Sequence, residues 1–279
     1  QNALKYSNES KVDSIIAYTF FNVANNYCSM CSYRLTIEYA NVALEKYLKL
    51  EKDYDIIESY FLLALAYRYW GYYSKAISIA QKGLDFCEKK SMEDYKMKFW
   101  LVTSYAYLTW GNFEQANNYC QKIISNSKTQ DNSKLGYAFL AIGNIFMEKN
   151  ILDSAYFSIN KAKQIFVQNK DNYGYALCLR DFGRYNTYKK EFNKAQDSLL
   201  KSLSLFQKNN NNRGISEIDI YLGDNYFFQN NFKEALNCYF KGQDLAIKME
   251  LVDDIYKNYK KISLTYEKIG DFSSSLHYF

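Results

Sequence analysis

The chain contains no proline and only 11 glycines among its 279 residues. Proline breaks helices and, with glycine, punctuates folds built from strands and tight turns. Its absence removes the usual markers of a sheet protein and points to an all-helical chain. Histidine is nearly missing as well. His277 is the one copy, and no cysteine or carboxylate cluster accompanies it, so general-base catalysis and metal ligation lack their commonest side chain. Long apolar runs are also lacking: the longest, from about Tyr60 to Tyr67, ends at Arg68, far short of the roughly 20 residues needed to span a membrane. No secretory signal is visible, because Gln1 opens a polar stretch. There is no basic block either. The 35 Lys and Arg against 30 Asp and Glu leave a formal charge of +5 that is scattered along the chain, whereas direct nucleic-acid binding needs a patch.

Cysteine is sparse and mostly isolated: Cys28, Cys31, Cys87, Cys120, Cys178 and Cys238. An isolated thiol inside a helical pattern behaves as a small hydrophobe, so the usage indicates reduced thiols and a cytoplasmic protein, with a periplasmic segment as the alternative. Cys28 and Cys31 have the spacing of half a zinc or redox site. The second pair that zinc needs and the preceding strand that a thioredoxin-like motif needs are both missing, which favours packing at a helix end. Gly71, Gly111 and Gly270 are too dispersed for a phosphate-cradling loop and suit turns between helices. The expectation is a chain without cofactor, metal or catalytic activity.

What the chain does have is apolar content and repetition. It is 48% hydrophobic and carries 29 tyrosines, enough for a sizeable core. Small residues recur at Ala76, Ala116, Ala155, Ala195 and Ala235, at spacings of 40, 39, 40 and 40, and the outer positions Thr36 and Ser275 keep the register. Three residues before each stands Tyr33, Tyr73, Phe113, Leu152, Phe192, Phe232 or Phe272; twelve before it stands Ala24, Ala64, Ser104, Gly143, Gly183, Gly223 or Ser263. Three columns in register over seven copies define a helix-turn-helix unit whose apolar face is buried only by its neighbours. Within one copy, Leu222, Gly223 and Tyr226 mark the first helix, and Phe232, Ala235, Tyr239 and Gly242 the second.

These columns resemble the tetratricopeptide repeat (TPR), with Trp70-Gly71-Tyr72-Tyr73-Ser74-Lys75-Ala76 and Trp110-Gly111-Asn112-Phe113-Glu114-Gln115-Ala116 as close matches. The resemblance covers nearly the whole chain. It implies an all-α, right-handed α-solenoid of antiparallel helix pairs over residues 1–279, a single domain with a partial helix at 1–8 and repeats at about 17–50, 57–90, 97–130, 136–169, 176–209, 216–249 and a truncated 256–279. The common repeat is about 34 residues and often ends in proline. With a period of 40 and no proline, helix B is expected to run on for a turn or more before polar linkers at Asp131-Asn132-Ser133, Lys170-Asp171-Asn172 and Asn209 to Asn212. Such extended repeats are similar to those of bacterial peptide-sensing regulators. Ala3, Leu4 and Tyr6 read as the end of a helix B, and Phe279 falls inside another. The chain is therefore expected to be a segment of a larger protein, with an output domain outside it.

The resemblance places the working surface on the A helices, at positions 2, 5, 9 and 12, where TPR proteins take an extended peptide or a partner protein. Carried onto this sequence, the informative candidates are Asn25, Tyr105, Asn144 and Arg184 at position 9, Arg180 at position 5, and Arg68 and Phe227 at position 12. Asn25 and Asn144 suit capture of a peptide backbone, being donors and acceptors at once; stabilising neighbouring helices is the alternative. Arg180 and Arg184, one turn apart, suit a carboxylate or phosphate; pairing with Asp181 or an adjacent repeat is the alternative. No repeat has the Lys and Asn pair of the chaperone-type carboxylate clamp. The expected role is a non-catalytic protein- or peptide-binding scaffold, the sensory or regulatory segment of a bacterial signalling or transcription-regulatory protein. The alternative is a peptide-pheromone-responsive regulator acting on a signalling enzyme or a DNA-binding protein.

Overall fold

Every twenty residues the backbone passes through the left-handed region: at Cys31, Glu51, Gly71, Ser91 and Gly111, and again at Asn150, Lys170, Lys190, Asn210, Asn230, Glu250 and Gly270. These positions divide a computed structural model, which describes residues 13–127 and 133–279, into helices joined by short turns. The helix expected at residues 1–8 and the Asp131-Asn132 linker lie outside the described residues. Among those residues there are fourteen helices and no strand. They are α1 (Asp13–Ser29), α2 (Tyr33–Lys49), α3 (Asp53–Tyr69), α4 (Tyr73–Lys89), α5 (Glu93–Trp110), α6 (Phe113–Asn126) and α7 (Ser133–Glu148). They continue with α8 (Leu152–Gln168), α9 (Asn172–Tyr188), α10 (Phe192–Lys208), α11 (Asn212–Phe228), α12 (Phe232–Lys248), α13 (Val252–Ile269) and α14 (Phe272–Tyr278).

The turns share one construction. The amide after the left-handed residue reaches back five positions to a helix carbonyl, as in Tyr72 N–H to Tyr67 O and Asp171 N–H to Phe166 O, both 2.9 Å, so the last carbonyls of the helix are satisfied without water. The following residue often caps the next helix: Asp171 and Asn211 accept from the amides of Gly174 and Gly214 at 2.8 Å. Thus Lys170-Asp171 and Asn210-Asn211 are each a left-handed residue followed by a cap, inside a three-residue turn. The expected longer helix B is present, and its partner helix A is equally long. The same stop occurs after A and B helices alike, so both are lengthened: α3 and α4, or α9 and α10, are all 17 residues long. Cys31 is one of the left-handed turn residues, and Cys28 lies in the last turn of α1; both are free thiols.

The chain forms two compact units. Residues up to Ser125 hold three helix pairs, α1/α2, α3/α4 and α5/α6; residues from Asn126 hold four, α7/α8, α9/α10, α11/α12 and α13/α14. Within each unit, helices adjacent in sequence pack together and successive A helices also touch, α1 with α3 and α3 with α5, α7 with α9 and α9 with α11. The small-residue columns meet inside pairs of the second unit, Gly143 with Ala155, Gly183 with Ala195 and Ser263 with Ser275. A methyl group built on Gly183 would lie 2.5 Å from Leu199 Cγ and 3.3 Å from Ala195 O, so α9 and α10 approach more closely than any side chain there would permit. Around this contact the second unit buries Ile159, Phe166, Leu199, Phe206 and Ile218; the first unit has a core of its own, with Ile57, Leu84, Phe99 and Val102. The aromatic column opens the B helices: Tyr33, Tyr73, Phe113, Leu152, Phe192, Phe232 and Phe272 are their first residues. Buried hydroxyls tie helices across the seams, as Ser202 Oγ donates to Ala176 O at 2.7 Å and Ser216 Oγ to Gly242 O at 2.8 Å.

Candidate functional site

The A helices of the second unit carry a chain of charges that runs from one helix to the next. Asn144 on α7 is buried; its amide donates to Leu140 O at 3.0 Å and to Asp181 Oδ2 on α9 at 2.8 Å, and its oxygen accepts from Arg184 Nη1. Arg184 Nη2 also reaches Glu148 Oε1 on α7 at 2.8 Å. Arg180 Nε donates to Asp181 Oδ1 at 2.9 Å and its Nη1 to Glu217 Oε2 on α11 at 2.6 Å. Glu217 takes a further bond from Arg213 Nε at 3.1 Å, and Arg213 Nη2 lies 3.4 Å from Asp254 Oδ2 on α13. Asp181 has no exposure at all, and the Arg180 and Arg184 side chains keep 12% each. Removing such charges from water is tolerable only because each finds an opposite partner and directed hydrogen bonds.

The titration behaviour follows. Burial works against the Arg180 charge, but Asp181 and Glu217 beside it hold it well above the ordinary guanidinium value. Burial likewise tends to raise Glu217, yet Arg180 and Arg213 outweigh it and its carboxyl sits below the usual range. Asp254 goes the other way, raised because burial exceeds the help of Arg213.

Next to this chain of charges is a cavity of about 180 Å³. Tyr188, Tyr221, Phe227 and Phe228 supply its aromatic walls, with Leu264 beside them. Its polar side is Asp224 on α11, which accepts from Lys261 Nζ on α13 through both oxygens, at 2.6 and 2.8 Å, and from Tyr239 Oη on α12 at 2.7 Å. Arg184 completes the lining, its guanidinium carbon 4.9 Å from the Tyr221 ring centre. Burial and the neighbouring Asp224 push the Tyr239 hydroxyl far above the ordinary phenol value, so it remains a proton donor to that carboxylate.

The residues singled out from the sequence divide into three groups. Asn144, Arg180 and Arg184 come together in the second unit, joined there by Phe227 at the cavity. Arg68 and Tyr105 come together in the first unit, with the guanidinium carbon 5.3 Å from the Tyr105 ring centre. Asn25 lies exposed on α1, apart from both groups. Asn144 and Arg180 make the contacts named as the alternative to ligand capture, their polar atoms being engaged between helices. Asp181 was named only as the alternative partner of Arg180, and Glu217, Asp224, Tyr239 and Lys261 were not singled out for this role. A signal for them exists: Asn144 and Asp181, Arg180 and Glu217, and Asp224 and Lys261 are each 37 residues apart. That is one repeat period less about one helical turn, a spacing that puts complementary groups side by side on successive A helices. Among the described residues no group of His, Cys, Asp and Glu is arranged to hold a metal ion, and no helix is long and apolar enough to cross a membrane.

Antiparallel pairs stacked through small-residue columns, with A helices in mutual contact, define a tetratricopeptide-like helical-repeat fold. The solved structures it is similar to are of that kind. A Rap protein complexed with Competence and Sporulation Factor aligns over 97% of this chain and 75% of its own, with a TM-score of 0.79 at 12% identity. The Rap conjugation gene regulator of plasmid pLS20, in complex with the Phr* peptide, aligns over 95% and 72%, with a TM-score of 0.81 at 16% identity. Aspartyl phosphate phosphatase F from Bacillus subtilis aligns over 99% and 72%, with a TM-score of 0.68 at 14% identity. No protein-family profile matches the sequence, and no curated protein does.

Proposed function

We propose that the A-helix face of the second unit binds an extended peptide or a segment of a partner protein, and that the chain is the non-catalytic sensory or regulatory part of a bacterial signalling or transcription-regulatory protein. The observation that carries this reading is the cavity beside Phe227. An apolar cavity of about 150 Å³ is enough to hold a benzene molecule, so a site of about 180 Å³ with aromatic walls suits one large side chain of a ligand. The Asp224–Lys261 pair on its polar side offers acceptors and donors to the ligand backbone. Peptide anchoring of this type concentrates binding energy in a single buried side chain. The Rap regulator of pLS20, solved with a peptide, supports it by its fold.

A second reading, a peptide-responsive regulator that acts on a signalling enzyme or a DNA-binding protein, is favoured by the likeness to Rap proteins, one of which is named a phosphatase. Both readings put the output elsewhere than in the cavity and the protein in the cytoplasm, and neither assigns nucleic-acid contact to these residues. Pools of synthetic hexapeptides with fixed aromatic or fixed small residues test the binding claim by thermal shift, since a ligand of the native state raises its stability by mass action. The aromatic pools raise the melting temperature of the wild-type chain, and Leu264→Trp, which fills the cavity, removes the rise while leaving the unliganded melt in place. Equal responses from both pools, or a response that survives Leu264→Trp, sink the cavity reading. Catalytic turnover of an acyl phosphate by the isolated chain sinks the non-catalytic one.

A further inference from the structure

The first unit holds an arginine whose situation is the reverse of that of Arg180. Arg68, in the last turn of α3, lies with its guanidinium carbon 3.9 Å from the Tyr69 ring centre and 5.3 Å from that of Tyr105 on α5. Tyr69 in turn stacks on Tyr33 of α2, with centres 5.6 Å apart and planes at 26°, and Tyr33 is only 4% exposed. The guanidinium therefore lies against a ring that is itself anchored in the core through Tyr33. Among the described residues no ion pair joins it to an acid, and its Nε is buried without a partner. Cys28 on α1 is near enough to interact, but burial pushes that thiol up to about 11, so it stands beside Arg68 uncharged at neutral pH.

An arginine set against two aromatic rings, its Nε buried without a partner and no acid paired with it, keeps the planar fork that matches two oxygens of a carboxylate. Aromatic faces hold the cation without neutralising it. We infer that Arg68, seated on Tyr69 and Tyr105, is a binding site for a carboxylate, taken end-on by Nη1 and Nη2, on the A-helix face of the first unit. The carboxylate can be the C-terminus or an acidic side chain of a peptide or partner protein. This site stands independently of the cavity in the second unit.

Acetate is the simplest probe. In the full chain labelled with ¹⁵N, the Arg68 Nε resonance is assigned by its loss in Arg68→Lys, and sodium acetate is titrated at constant ionic strength against sodium chloride. The Arg68 resonance moves saturably over the millimolar range with acetate and does not saturate with chloride, while the Arg180 and Arg184 resonances stay in place. Tyr69→Leu weakens the acetate response about two- to fivefold, the share of a cation–π contact. A response to acetate no different from that to chloride overturns the site, whatever the hexapeptide pools do at the other unit. Saturation by inorganic phosphate without saturation by acetate overturns the carboxylate assignment. If acetate saturates, two peptides distinguish the sources: one ending in a free carboxylate without acidic side chains, and its amidated counterpart carrying one Glu. Whichever shifts Arg68 identifies the group, and a shift from neither overturns the proposal for peptides.

Discussion

Arg68 in the first unit and Arg180 in the second occupy A helices of the same kind of repeat, yet one lies on aromatic rings without an acid and the other is gripped by Asp181 and Glu217. The contrast separates two uses of one residue type. A guanidinium whose hydrogen bonds are complete inside the fold serves the fold. One set against rings, with no acid beside it and its Nε unpartnered, is not spent on holding helices together in that way.

The largest test of this difference is the same substitution at both places. Arg180→Met takes the nearest cation from Asp181, which has no exposure and keeps only Asn144 at 2.8 Å and Arg184 at 3.7 Å, and is expected to cost about 3 kcal/mol in denaturant unfolding, the lower end of the penalty for breaking a buried pair from one side. A loss under about 1 kcal/mol would show that the interhelix charges contribute little. Next in size, Gly183→Ala forces a methyl against Leu199 at the α9/α10 contact and is expected to cost roughly 1–3 kcal/mol despite alanine's better helix propensity. Arg68→Met comes third and differs in sign: with no acid to strand and an unpartnered Nε removed, stability stays within about 1 kcal/mol of wild type or rises. Equal losses for Arg68→Met and Arg180→Met would erase the distinction.

The smallest effect concerns pH. Glu217, held below its ordinary value, contributes stability that is present above the unfolded-state value of about 4.5 and is lost as pH falls through its lower folded value. Asp219, on the same helix, behaves oppositely. Burial raises it from 3.8 to about 6 despite Lys241 nearby, so its contribution is present below pH 3.8 and lost as pH rises through about 6. Asp219→Asn is therefore expected to raise the melting temperature at pH 8 relative to wild type, with the advantage fading by pH 4. A constant offset at both pH values would contradict the assignment.

The repeats were readable because their signal is periodic: Ala195, Gly183 and Phe192 recur with every copy, and small residues at fixed intervals on helices mark the places where two backbones come close. The turns were half readable. Lys170-Asp171 and Asn210-Asn211 look like linkers, since polar residues favour loops, but whether three residues or six separate two helices depends on where the backbone turns left-handed, and Glu51, Lys170 and Lys190 adopt that conformation without being glycine or asparagine. Position within the repeat brought attention to Asn144, Arg180 and Arg184 and could not say what they touch.

By itself, the order of residues determined the all-helical class, the forty-residue repeat and the faces that pack, because burial of apolar and small side chains obeys local periodicity. Tertiary structure alone decided which polar groups are spent and which remain. Asp181 meets Asn144 across 37 positions and Arg180 meets Glu217 across another 37, whereas Arg68 meets rings. Charge interactions act through space at a few ångströms, and only the stacked helices set those distances.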